Sequence, residues 1–453
     1  MGQLRKKKDR NLKWSKFRNK YLLFIVLLFV NIYGYTQDTL TFFTSDKLTY
    51  QQFTENKWEE LIKTGKESIE QGIDYYYLRV RLGIAYYNQK NYHQSIYQLE
   101  KALKINSTED YIKEYLYYSY LYSGRTKEAQ KYCIKDNPKL PKNNICKDYF
   151  IQSIDFSISS QSNLNESELH VDDIAFDEGS QYIPLQTNFY GFGLTHKITQ
   201  WLSATHSIGR VNLTYLELTK YMDIATFNNN YKVQENLYYL SLLGRIAKNW
   251  YFNAGMHRIG NQYFVDQEVV RRGQATTETI TVNDNDYVFF GSVHKQLPLF
   301  DLIASVSNST LNNSKQWQED FSLRYFPFGN LHVYLFGKLS ILQHTNDGMK
   351  KSEIIFNPLL GLKIVDYLWL EGSYLQGDIY NYSSENRFVV YNGPEIIQNI
   401  AKLKFIVPIK AGLQLYIDNT YVIANSYTIS TLVKTNKIQS NYYQLTGGLS
   451  WKL

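Results

Sequence analysis

From about residue 150 to the end at 453, segments in which every second residue is apolar alternate with polar connections. Between 331 and 342, Val333, Leu335, Gly337, Leu339 and Ile341 share one phase, while His332, Tyr334, Lys338 and Ser340 share the other. Leu413, Leu415 and Ile417 oppose Gln414, Tyr416 and Asp418 in the same way. A period of two belongs to a β-strand with unlike faces, and roughly ten residues carry a tilted strand across the apolar layer of a membrane. One such segment fits half of a soluble sandwich equally well, so number and spacing decide.

The spacing predicts about fourteen strands, at 150–160, 184–198, 200–218, 232–247, 249–264, 286–297, 299–311, 316–327, 331–344, 351–365, 367–380, 397–408, 411–424 and 439–453. An even count is what single-chain bacterial barrels have. Short connections near Gln200, Lys248-Asn249, Pro298, Pro327 to Asn330, Val365-Asp366 and Ile409-Lys410 alternate with others at 161–183, 219–231, 265–285, 312–315, 345–350, 381–396 and 425–438. Most of the second set are long and polar, as extracellular loops of outer-membrane barrels are. Strand phase directs Arg245, His294, Arg324, Lys338, Lys363, Glu371, Lys402, Lys404, Asp418 and Lys452 towards the lumen. That set is mixed but net basic, which in an open pore favours anions. In a closed barrel the same residues make a salt-bridged polar filling.

Thr446, Gly448, Trp451 and Leu453 follow a polar, glycine, aromatic, apolar-terminal order in which the last strand resembles those of outer-membrane barrels. The resemblance implies recognition by the barrel-assembly machinery. Leu453 stands where that family most often has Phe.

Ahead of the barrel the period turns helical. Leu82, Gly83, Tyr86, Ser95, Leu99 and Ala102 are followed 34 residues later by Leu116, Tyr117, Tyr120, Ala129 and Cys133, and then Pro141; Trp58 stands 34 before Tyr92. In this period and these positions the segment resembles tetratricopeptide repeats. Tyr117 and Asp136 depart from it, standing where the family has small residues, so the last unit is expected to be a loosely packed cap. The resemblance implies a groove lined by the first helix of each repeat, here with Tyr77, Tyr87, Asn88, Tyr111, Glu114, Tyr118 and Tyr122 as candidates. Such a Tyr-rich face suits an extended peptide or a sugar chain, and it suits packing between helices equally. About two and a half repeats are marginal alone, so they are expected to lean on the barrel or on a partner.

Residues 1–20 hold nine Lys or Arg and one acid, Asp9, before the apolar run Tyr21 to Val30. That order is a secretory signal's, too short in its apolar part for a comfortable spanning helix, although an uncleaved anchor is the alternative. The chain carries +7, from 49 bases and 42 acids; without those nine bases and one acid it holds 40 against 41. The basic excess therefore argues for no nucleic-acid partner. The 41 Tyr, 24 Phe and 7 Trp suit interfacial girdles. Cys133 and Cys146 are a possible disulfide in an oxidising compartment, or two free thiols.

The fold class expected is α+β multidomain: a short TPR-like α-helical solenoid, then an antiparallel transmembrane β-barrel of about fourteen strands. Boundaries fall at 1–36 for the signal peptide, 37–141 for a periplasmic helical domain, 142–149 for a linker and 150–453 for the barrel. No His-Glu-x-x-His helix, phosphate-cradling loop or Gly-x-Ser-x-Gly elbow occurs, so no catalytic residue, metal or cofactor is expected. The function expected is a transport or secretion pore in the outer membrane of a Gram-negative bacterium, in an architecture similar to exopolysaccharide-export porins. Its partners would be outer-membrane lipid, the assembly machinery, and a periplasmic protein or polysaccharide bound by the helices. A plugged barrel anchoring an envelope complex is the alternative, and a lipid-modifying barrel enzyme a third reading.

Overall fold

The computed structural model describes residues 40–133, 149–166, 179–221, 225–271, 274–346, 349–409, 412–427 and 437–453. The signal segment, most of the linker and Cys146 lie outside the described residues. Six helices come first: α1 (Phe42–Thr54), α2 (Trp58–Glu70), α3 (Tyr76–Asn88), α4 (Tyr92–Ile105), α5 (Asp110–Tyr122) and α6 (Thr126–Ala129). They begin at 42, 76 and 110 and at 58, 92 and 126, two series that each step by 34 residues.

The chain divides into two compact units between Arg81 and Leu82. In the first, Thr41 caps α1 through a reciprocal pair with Thr44, and α1 meets α2 through small polar side chains. Ser45 and Ser68 hydroxyls lie 2.7 Å apart and Gln52 donates to Thr64 at 3.0 Å. Arg81 bonds Asp46 at 2.7 Å with its guanidinium over Tyr50.

In the second unit α4 and α5 pack on the barrel. A Cβ at Gly83 would meet the Leu99 side chain at 2.4 Å, so glycine permits the close crossing read from the repeat pattern. Tyr117, where a small residue was expected, is fully buried, and Tyr120 stacks on Tyr132 at 5.7 Å while donating to Glu100 at 2.6 Å. These contacts are tight; the expected loose cap is not what the rings make.

The barrel strands are β1 (Ile151–Asn163), β2 (Gly179–Lys197), β3 (Leu202–Tyr221), β4 (Ala225–Ala247), β5 (Trp250–Arg271), β6 (Gln274–Gln296), β7 (Phe300–Ser309), β8 (Lys315–Tyr325), β9 (Val333–Asn346), β10 (Met349–Val365), β11 (Leu368–Ile379), β14 (Ile396–Pro408), β15 (Leu413–Tyr427) and β16 (Lys437–Lys452). They form a closed antiparallel barrel, sealed where β1 pairs with β16, Ser157 opposite Gly448. Two further short strands, β12 (Tyr382–Ser384) and β13 (Val389–Tyr391), pair only with each other.

Two of the expected long loops are strand. Residues 219–221 with 225–231 extend β3 and β4, and 265–271 with 274–285 extend β5 and β6, paired as far as Tyr221 with Ala225 and Arg271 with Gln274. Their sequences, rich in Asn, Thr and Gln, lack the apolar alternation that betrays a strand inside a membrane.

Outward-facing Phe156, Ile158, Ile208, Leu335, Leu339 and Leu403 are exposed, while inward Ser159, Ser207, Lys338 and Ser340 are buried. Such an apolar outer band is what a barrel wall presents to hydrocarbon.

At the short-turn end, α4 docks on the connection from β8 to β9. The His93 backbone N–H donates to Gly329 O at 3.0 Å, Asn330 Nδ2 donates to Lys90 O at 3.0 Å, and the His93 ring stacks on Phe326 at 4.7 Å. Gly329 has φ +62°, and a Cβ there would strike the Asn91 amide at 1.8 Å. On the opposite side Lys127 donates to Ser203 at 2.8 Å, Arg125 to Asn249 at 3.0 Å, and Lys248 pairs with Glu100 at 2.8 Å.

Burial, helped by the nearby Arg125 charge and opposed by Asp301, pushes His93 down to about 4 from its usual 6.5, so the docked ring is neutral. Released helix takes up a proton that docked helix refuses, so docking is intact above pH 6.5 and weakens as pH falls towards 4, by roughly 3 kcal/mol at full effect. Protection of the amides of residues 92–105, measured against the unprotected exchange rate at each pH, should therefore fall between pH 7 and pH 5, and His93→Phe should abolish that fall. An unchanged pH profile in the variant would show that another group is responsible.

Candidate functional site

Sixteen residues between β11 and β14 leave the wall and fold back into the lumen as the β12–β13 hairpin. Tyr382 is fully buried and belongs to an apolar cluster with Leu342, Ile355, Leu375, Ile400 and Tyr442 from five wall strands. The loop expected to be extracellular at 381–396 is thus a filling of the barrel. A polar sequence satisfies a hydrogen-bonding wall as well as it satisfies water.

The hairpin is held by its backbone. The Gln318 amide makes a reciprocal pair with Ser383, donating to its carbonyl at 2.9 Å and accepting from its N–H at 3.1 Å, as a neighbouring strand would. At the turn Glu385, Asn386 and Arg387 have φ of 48°, 56° and 68°. Non-glycine residues in that left-handed region each cost roughly 1–2 kcal/mol. The carbonyls so presented are met by wall donors: Tyr239 Oη donates to Asn386 O and His257 Nδ1 to Arg387 O, both at 3.0 Å. At the hairpin's root Asn312 Nδ2 donates to Asn381 Oδ1 at 2.7 Å and to Asn392 O at 2.8 Å.

The Arg387 guanidinium meets Asp320 at 2.5 Å, with both side chains buried. Asp320 also accepts from Gln318 at 2.8 Å and Ser305 at 3.1 Å, so its buried charge is well satisfied. Such a pair adds little net stability over apolar residues, but breaking it from one side leaves an uncompensated buried charge.

Beside the hairpin lies a cavity of about 330 Å³, bounded by β1 to β5, β14 to β16 and residues 385–397. Lys402 bonds Glu385 at 2.9 Å and approaches Asp418 at 3.9 Å; Lys404 approaches Asp418 at 3.8 Å and lies over Tyr416 at 4.3 Å. Glu385 is enclosed by the wall, yet its side chain is 56% exposed, so space for water persists inside. Among the described residues, four carboxylates (Glu235, Glu385, Glu395 and Asp418) face two lysines in this lining. In this one cavity carboxyl groups thus outnumber lysines, whereas the lumen set read from strand phase along the whole barrel is net basic. Glu385 and Glu395 ride in on the hairpin, which strand phase alone cannot show.

Other lumen candidates are spread along the barrel. His294 and Arg324 flank Asp301 at 3.6 and 3.8 Å. Lys338 lies over the Tyr382 ring at 5.2 Å, which ties it to the hairpin. Glu371 accepts from Tyr334 and stands opposite Lys404 in register. Lys363 pairs with Asp366 at 2.8 Å near a turn, and Lys452 is exposed opposite Ser153. Arg245 lines a separate cleft of about 540 Å³ with Glu100, Glu128 and Tyr251, where α4 to α6 meet the rim.

In the last strand Thr446 donates inward to Ser159 at 2.9 Å, Gly448 lies under the Tyr416 ring, Trp451 is exposed outward, and the Leu453 N–H donates to Gln152 O at 3.0 Å. Cys133 is not a free thiol; Cys146 lies outside the described residues.

Of the groove candidates, Tyr77 is exposed beneath Arg81 in the first unit. In the second, Tyr87, Tyr118 and Tyr122 join Tyr92 and Tyr115 in one aromatic cluster, with ring separations of 5.0 Å for Tyr87–Tyr115 and 5.1 Å for Tyr92–Tyr122. Burial among these rings pushes the Tyr87 phenol up. Asn88 is turned onto Ile84 O at 2.9 Å, Glu114 is half-buried and Tyr111 is exposed. Among the described residues no three His, Cys, Asp or Glu side chains are grouped to hold a metal ion.

Arg387, Asp320, Gln318 and Glu235 were not singled out in the sequence. Gln316, Gln318, Asp320, Ser322 and Arg324 form a polar row on alternate residues of β8, and that row was the available signal. Arg387→Ala should speed amide exchange of residues 381–391 at least tenfold in detergent-solubilised protein, consistent with roughly 3 kcal/mol or more for an orphaned carboxylate. The double variant Arg387→Met with Asp320→Leu should recover most of the protection. Equal exchange in all three proteins would show that the ion pair does not hold the hairpin.

No protein-family profile and no curated protein matches the chain. Among solved structures it is similar to a deletion mutant of the monoaromatic hydrocarbon channel TodX (6% identity, TM-score 0.42, 70% of this chain and 94% of that one). It is also similar to a FadL homologue from Pseudomonas aeruginosa (10%, 0.39, 66% and 89%) and to a bacterial polysaccharide outer-membrane secretin (7%, 0.34, 68% and 100%). Likeness at these scores carries no information about what this chain binds or moves.

Proposed function

We propose that the chain is an outer-membrane pore whose conductance is set by the lumenal hairpin. The observation that carries this reading is a long loop turned into the barrel, strained at its turn and pinned by one buried ion pair, beside a cavity that water can enter. Hairpin turns commonly use positive φ, but here no glycine takes up the three left-handed positions from Glu385 to Arg387, and the added cost favours release once the pins break. The helices would lie in the periplasm, act as tetratricopeptide repeats, and recruit cargo or a partner protein through the Tyr118–Tyr122 face. No catalytic role is proposed. The competing reading, a plugged barrel serving as a scaffold, draws on the number of bonds that hold the hairpin.

Planar bilayers separate these readings. The intact chain should conduct weakly, and replacing residues 381–392 with a short Gly-Ser link should raise conductance severalfold. Silence from both proteins would leave the scaffold. For recruitment, Tyr118→Ala with Tyr122→Ala should lose partners that the unaltered protein co-purifies from envelope extracts, and undiminished recovery would refute a role for that face.

A further inference from the structure

The cavity beside the hairpin has a composition that selects its ligand. One row of directly opposed residues runs across eight adjacent strands, from Glu371 through Lys404, Asp418, Thr446, Ser159, Phe189 and Val211 to Glu235. Phe189 lies flat against the wall, because a Cβ at Gly191 or Gly209 would come within 2.6 or 2.9 Å of its ring. The ring therefore shows a π-face to the lumen. Glu235 stands two strands away, about 10 Å along the row at the usual strand spacing.

The charges differ in what already meets them. Lys402 and Lys404 are directed at Glu385 and Asp418. Glu235 instead accepts from the Asn392 amide, a neutral donor, at 3.3 Å. An arriving anion would have to displace carboxylates from both lysines. An arriving cation finds a carboxyl group met by a neutral donor, an aromatic face, and a lining in which carboxyl groups outnumber lysines. Val211, Leu237 and Val390 complete an apolar side.

We propose that this cavity binds an organic cation, an ammonium group joined to a small apolar body. The ammonium sits between Glu235 and the face of Phe189, by charge and by attraction to the ring quadrupole. The apolar body covers the aliphatic wall. The inference rests on the pore reading only in needing the cavity to be reachable from solution.

Calorimetric titration of the detergent-solubilised full chain with benzyltrimethylammonium, and separately with benzenesulfonate, tests it. Saturable binding of the cation and none of the anion is expected, with affinity weakened at least tenfold by Glu235→Gln and severalfold by Phe189→Leu. Both variants must keep the heat-dependent gel shift of a folded barrel, and Glu235→Gln, which preserves shape, carries the test if the other does not fold. Equal affinity in Glu235→Gln, or benzenesulfonate bound as tightly, overturns the proposal. Binding in detergent together with silent bilayers would sink the pore reading alone, whereas conduction without binding of the cation would sink this inference alone.

Discussion

Closure of the sheet is the constraint on which everything else depends. A wall facing hydrocarbon cannot leave backbone N–H and C=O groups without partners, and only a sheet that returns to its first strand avoids an edge. Here that return is the β1–β16 seam, eleven residue pairs from Ser153–Lys452 to Asn163–Tyr442. Once the seam is made, inside and outside are defined for every strand residue. Alternation then sends Leu335 and Leu339 to lipid and Lys338 and Ser340 inward.

Closure also creates a difficulty. Fourteen strands enclose more space than their own side chains fill, and an interior lined by Lys, Asp, Gln and Ser needs either water or polar partners. The chain supplies partners from both directions. From the long-loop end the β12–β13 hairpin brings backbone carbonyls to Tyr239 and His257 and a guanidinium to Asp320. At the short-turn end α4 to α6 lie on the turns through His93, Arg125 and Lys127. What remains is a small cavity whose character is set as much by the hairpin as by the wall.

The strands were legible because lipid imposes a pattern on them: every barrel strand was expected within a few residues of its ends wherever it crosses the apolar band. Beyond the band the pattern vanishes, which is why the paired extensions that end at Tyr221 with Ala225 and at Arg271 with Gln274 read as loops. The helical period of 34 was equally plain, since Gly83 is required by the approach of Leu99. The hairpin was not legible. Arg387 meets a carboxylate 67 residues away, and nothing local in Tyr-Ser-Ser-Glu-Asn-Arg distinguishes a segment wetted by solvent from one wetted by the lumen wall. For the same reason the excess of carboxyl groups in the cavity was not legible, because two of the four, Glu385 and Glu395, sit on the stretch between β11 and β14.

The central claim is that residues 381–391 occupy the lumen against β8, and crosslinking in intact membranes tests it most directly. With Ser383→Cys and Gln318→Cys introduced together, a short bis-methanethiosulfonate should join them in the folded barrel and change its migration on unboiled gels. A single Ser383→Cys should resist a membrane-impermeant maleimide. Absence of the crosslink, with Ser383→Cys labelled as fast as a position on an exposed loop, would place the hairpin outside the barrel and contradict the account.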